Sequence, residues 1–145
     1  MTTEDLLGYY FEELSVGMTA SFGKTITEAD VVMFSAVSGD INPSHINEEF
    51  AATTRMNTRV VHGMLSTSLI SAVLGCKLPG PGCLYVSQTV NFREPVKFGA
   101  TVNAQVILTR LIPKNNFAEF ETTCTVGETT VVDGHALIWV PSRDG

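Results

Sequence analysis

No Lys, Arg, Asp or Glu interrupts the chain between Gly63 and Gly75, and this stretch restricts the possible folds more than any other. Leu65, Leu69, Ala72 and Val73 recur at helical spacing, and Met64, Ile70 and Leu74 widen the apolar band. Ser66, Thr67, Ser68 and Ser71 are small and uncharged. A helix that is apolar nearly all round has to be buried. At roughly 12 residues it is too short for a bilayer, which needs about 20, so it belongs in a protein core.

A broad apolar surface must therefore cover it, and the second half of the chain supplies one. Cys83 to Phe92, Thr101 to Ile112, Phe117 to Val126 and Thr129 to Val140 are rich in β-formers. Turn signals separate them: Glu94-Pro95, Phe98-Gly99, Lys114-Asn115-Asn116 and Gly127. Four consecutive strands of this kind predict an antiparallel meander, with Cys83 where a buried strand begins. Val16 to Ile26, with Met18, Ala20 and Phe22 alternating, adds an earlier strand. The expected class is α+β, a sheet of about five strands wrapped around one helix. We find no internal repeat, linker or low-complexity segment. The expectation is one domain over 1–145, with 1–9 a loosely ordered lead-in.

A 145-residue chain that is 44% hydrophobic can close such a core. The net charge of −6 and isoelectric point of about 4.9 argue against nucleic acid or an anionic membrane as a general partner. The acidic start, Met1 to Asp5, has no basic region of the signal-peptide type, so a cytoplasmic location is expected. The three cysteines, Cys76, Cys83 and Cys124, lack zinc or redox spacing and read as free thiols. No metal cluster, phosphate loop or nucleotide fingerprint is present, so no cofactor is expected.

The chemistry concentrates in Ser38-Gly39-Asp40-Ile41-Asn42-Pro43-Ser44-His45. Thr27 caps the preceding helix, with Glu28 and Asp30 in its first turn and Gly39 as its stop. Val31, Phe34 and Val37, with Val32 and Ala36, form its apolar side. Five residues of continuous helix would rotate a side chain about 500°, leaving Asp40 and His45 roughly 140° apart. Pro43 and the turn-forming Asn42 instead predict a rigid loop that folds both side chains toward one point. A carboxylate and an imidazole on a constrained loop are what proton transfer requires. Beyond it, Asn47 should cap a short helix whose buried side is Phe50 and Ala51. Thr53 to Thr58 reads as irregular.

This loop, with Val61-His62-Gly63-Met64 following, resembles the MaoC-like (hydratase 2) dehydratases, and most of all the small (R)-specific enoyl-CoA hydratases. The likeness runs from about Tyr10 to Val140 and includes Phe11 to Gly17 and Val90-Asn91-Phe92-Arg93-Glu94-Pro95-Val96. It implies a hot-dog fold around the helix from Gly63, and a homodimer, sometimes further assembled. It also implies an acyl-CoA thioester substrate, and the supply of polyhydroxyalkanoate precursors is one metabolic setting. Asp40 and His45 take the positions of the family's acid/base residues, Asn42 that of its Asn, and Gly63 that of its oxyanion-binding N–H. The family often has Asp two residues after the His; here Asn47 reads as a change of helix cap.

Hydration of a 2-enoyl thioester needs a base for water, a proton for C2 and a donor for the enolate oxygen. Asp40 is expected as the base and His45 as the donor to C2, with the reverse left open. The N–H of Gly63, at the positive end of a buried helix, suits the third task. His62, Ser71, Leu74 and Arg93 are further substrate-binding candidates, and Arg55, Arg59 and Lys97 could meet CoA phosphates. His62 reads more readily as structural, and His135 as a core or interface residue. Rival readings are a hot-dog thioesterase, a 3-hydroxyacyl-carrier-protein dehydratase and a non-catalytic acyl-binding subunit.

Overall fold

The computed structural model describes residues 1–145. Two 3-10 turns, Glu4–Leu6 and Phe11–Glu13, precede β1 (Thr19–Thr25), α1 (Glu28–Ser38), α2 (Pro43–Ile46) and α3 (Glu48–Ala51). Then follow α4 (Gly63–Cys76), β2 (Leu84–Phe92), β3 (Thr101–Ile112), β4 (Phe117–Val126) and β5 (Thr129–Trp139). All strand pairings are antiparallel, in the order β1-β3-β4-β5-β2.

Strict alternation on the inner strands builds the core. Val102, Ala104, Val106 and Leu108 of β3 are sealed from solvent, as are Ala118, Phe120 and Cys124 of β4. They face α4, which contributes Leu65, Leu69, Ile70, Val73 and Leu74 to the same apolar cluster. Each such side chain contributes about 1.5–3 kcal/mol relative to exposure. One sheet and the helix packed on its inner face form the hot-dog arrangement.

Several expectations need correction. β2 does not continue the meander: it lies at the far edge beside β5, because the segment from Arg93 to Ala100 crosses over instead of turning back. Its strand pairs on one side only, so it is largely exposed, and Cys83 opens an edge rather than a buried strand. α4 is covered on its sheet side alone, leaving Met64, Ser68 and Ser71 exposed. On α1 only Val31 and Ser35 are buried, while Val32 and Val37 point to solvent. Phe50, expected on the buried side of α3, is exposed as well, and His135, expected in the core or at an interface, lies outside the core of this chain.

The local signals hold. Thr27 Oγ1 accepts the Asp30 N–H at 3.2 Å, and Asp30 Oδ2 accepts the Thr27 N–H at 2.9 Å. Thr27→Ala should cost about 1 kcal/mol, read as a lower urea midpoint at unchanged slope. The lead-in, expected to be loose, hydrogen bonds to the body from Gly8 N–H to the Pro81 carbonyl and from Tyr9 N–H to that of Pro79.

Candidate active site

Gly39 ends α1 in the left-handed region, at φ 80°, with its N–H on the Ser35 carbonyl at 3.0 Å. The chain leaves the helix at once. Ser38 Oγ donates to the Phe34 carbonyl and accepts the Asp40 N–H at 3.1 Å. Asn42 Oδ1 accepts the Ser44 N–H at 3.0 Å and Pro43 takes the first helical position, so the expected rigid loop is a one-turn helix. His45 lies in that turn, and its Nδ1–H donates to the Val60 carbonyl at 2.7 Å. With Nδ1 so engaged, Nε2 is the free ring nitrogen.

A carboxylate oxygen of Asp40 and ring nitrogens of His45 and His62 all lie within 4.8 Å of one another. The spacing would suit a metal, but the two imidazoles stack at 3.8 Å and 27°. Stacked rings do not turn their in-plane lone pairs toward one point as a tetrahedral metal site requires.

These groups open onto a cavity of about 630 Å³ that Gly63, Phe92, Arg55 and Arg93 also line. The N–H groups of Gly63 and Met64, first in α4, have no acceptor within the chain. The ring of Phe92 lies 2.6 Å from where a Cβ on Gly63 would stand, so only glycine fits there with the ring in place. Across Met64, which borders both spaces, a groove of about 440 Å³ continues between α4 and β2. Thr67, Ser68, Ser71 and Tyr85 are among its walls. Burial pushes the Tyr85 hydroxyl up to about 12, so that wall is neutral at physiological pH.

Comparison with known proteins gives the family. The model of the MaoC like domain matches residues 13–132. The chain belongs to the MaoC-like family. An (R)-specific enoyl-CoA hydratase of Rhodospirillum rubrum is 49% identical over 143 residues, 99% of each chain. A 3-hydroxybutyryl-CoA dehydratase of Methylorubrum extorquens is 49% identical over 135 residues, covering 93% of this chain and 86% of that one. The solved (R)-hydratase from A. caviae, involved in PHA biosynthesis, superposes with a TM-score of 0.87 at 39% identity, over 90% of this chain and 99% of that one.

Within this MaoC-like site the candidates divide. Asp40, His45, His62, Gly63 and Arg93 share the cavity, and Ser71 lines the groove. Leu74, expected beside the acyl chain, is 1% exposed and belongs to the core. In the turn after α4, Gly80 N–H and Cys83 Sγ both donate to its backbone carbonyl. Asn42 does not line the cavity; its side-chain Oδ1 is committed to capping α2. Asn47 caps α3, its Oδ1 accepting the Phe50 N–H at 3.1 Å, as expected of a helix cap.

The basic candidates are partly engaged. Arg59 is bound by Glu28 and Glu48 and covers the Phe98 ring, so it is not free to meet a phosphate. Arg93 pairs with Asp133 through Nε at 2.9 Å and Nη2 at 3.1 Å, which holds the Asp133 carboxyl below its ordinary value. Sequence reasoning missed the Val60 carbonyl and Ser35. A backbone acceptor leaves no trace in residue type. Ser35, four residues after Val31 and the other buried residue of α1, was detectable as a polar intrusion on the inner stripe.

Proposed function

We propose that this chain is an (R)-specific 2-enoyl-CoA hydratase that adds water reversibly to a trans-2-enoyl-CoA, giving the (3R)-hydroxyacyl-CoA. The observation that carries the reading is the approach of Asp40 and His45 within 4.8 Å, in a cavity that also holds the amide of Gly63.

In the hydration direction Asp40 takes a proton from the shared water as its oxygen bonds to C3. The C2–C3 π electrons move toward the thioester, whose oxygen gains enolate character and accepts the Gly63 N–H. His45, as imidazolium, gives its Nε2 proton to C2. Asp40 is then protonated and His45 neutral, and a proton passing between them restores the pair. Positioned groups of this type each contribute about 10²–10⁴-fold. The acyl tail occupies the groove along Ser71 and Tyr85, and Arg55 is placed at the cavity to meet the CoA portion.

The active form we propose is a homodimer. Leu84 and Val86 leave β2 as an apolar edge that a second copy could pair. No helix of the chain is long and apolar enough to cross a membrane. A cytoplasmic setting and the supply of polyhydroxyalkanoate precursors accord with an acyl-CoA substrate.

Purified alone, the chain should remove the conjugated-alkene absorbance of crotonyl-CoA without releasing thiol, and the product should be the 3R isomer. Thiol release would instead indicate a thioesterase. Inactivity restored only by a second subunit would indicate an acyl-binding partner.

A further inference from the structure

The proton cycle above makes no use of His62, yet this imidazole touches both of its members. It is buried at 1% exposure. Its ring stacks on that of His45 with centroids 3.8 Å apart, and Phe34 packs tilted against it at 4.8 Å. Nε2 lies 3.0 Å from the Asp40 backbone carbonyl and 3.1 Å from Ser35 Oγ. A carbonyl oxygen can only accept, so Nε2 carries the hydrogen and donates it to Asp40, with Ser35 Oγ alongside.

The other hydrogen bonds around Asp40 are local. Gly39 N–H reaches the Ser35 carbonyl, Asp40 N–H the Ser38 hydroxyl and Ile41 N–H the Gly39 carbonyl. Asn42 N–H reaches the Asp40 carboxylate, and its carbonyl accepts the His45 N–H. All of these stay within residues 35–45. The bond from His62 is the one that ties residues 39–42 to a distant part of the chain. Packing adds little, since Val37 is 88% and Ile41 64% exposed. His62 is also the N-cap of α4, adjacent to Gly63.

We propose that His62 is a positioning residue for the reaction: its Nε2–H clamps the Asp40 backbone and its ring face supports His45. Both groups are thereby indexed to the helix end that presents the Gly63 amide, and Ser35 sets the rotation of the ring. This rests on the hydratase reading. A misplacement of about 1 Å in such a constellation can lower a rate about 100-fold.

His62→Phe preserves a stacking ring but removes the donor, whereas His62→Gln restores an N–H without the stack. With crotonyl-CoA, His62→Phe should lose roughly 10- to 100-fold in kcat while KM stays within about threefold. His62→Gln should recover at least about fivefold of that loss, and Ser35→Ala should lower kcat about threefold or more at unchanged KM. Wild type and Asp40→Asn are measured beside them. An active wild type with an inactive Asp40→Asn upholds the hydratase reading. Under that condition, near-native kcat in His62→Phe, or equal losses in both His62 variants that track their thermal stability, would overturn the positioning role. Should His62→Phe fail to fold, Ser35→Ala decides: an unchanged kcat overturns the proposal and a lowered kcat at constant KM supports it. An inactive wild type overturns the hydratase reading, and this role with it.

Discussion

Asp40→Asn and His45→Gln should each lower kcat for crotonyl-CoA by at least about 100-fold, which is about 2.7 kcal/mol of barrier. The fold should survive both changes. The Asp40 side chain is exposed, and its one bond within the chain accepts the Asn42 N–H at 3.3 Å, which an Asn oxygen can also accept. The amide of Asn, however, cannot take a proton from water. Gln at 45 can still donate to the Val60 carbonyl, where His45 Nδ1 now lies at 2.7 Å. It cannot cycle a proton at the far end. Circular dichroism and thermal melts should therefore match wild type while turnover collapses, with KM changing less than kcat. Rates near wild type in both variants would remove the acid/base mechanism, whatever substrate is used.

The second large effect concerns stability. Gly134 of β5 lies opposite Val90 of β2, and a Cβ built on it would stand 1.8 Å from the Thr89 carbonyl oxygen and 2.7 Å from its carbon. Those are backbone atoms of the neighbouring strand, so no side-chain rotation relieves the overlap; β2 itself has to move. Overpacking of this kind costs about 1–3 kcal/mol and occasionally more. For a chain of this length that is a fall in Tm of roughly 3–10 °C. Gly134→Ala should also impair turnover of longer acyl chains, because β2 supplies one wall of the groove. Gly75→Ala is the matched control. Nothing lies within 4 Å of the added methyl, and alanine is the better helix former by about 1 kcal/mol, so its Tm should hold or rise. Equal melting of the two variants would show that the close approach at Gly134 is not a constraint.

Residue type alone made the local features legible. Thr27 and Asp30 at the start of α1, Gly39 at its end and Asn47 before α3 have one good use each for their short polar groups or their missing Cβ. The grouping of Asp40 with His45 was legible for the same reason, because Pro43 leaves the intervening chain few conformations. The charge-free stretch from Gly63 told that a helix must be buried, though not which of its sides the sheet would leave open.

The remainder depended on contacts between residues far apart in sequence. β2 could have paired with β3 as its successor, and only the crossover at Arg93 to Ala100 sets it beside β5, which exposes its apolar residues and shapes the groove. Arg59 reads as a free cation until Glu28 and Glu48 meet it from two other elements. His62 and Ser35 stand 27 residues apart, and neither identifies the other. Short-range hydrogen bonding is encoded by adjacent side chains and survives in any fold that contains the segment. Strand order, the neutralisation of charges and the partner of a buried imidazole are properties of the packed whole, so tertiary structure alone decided them.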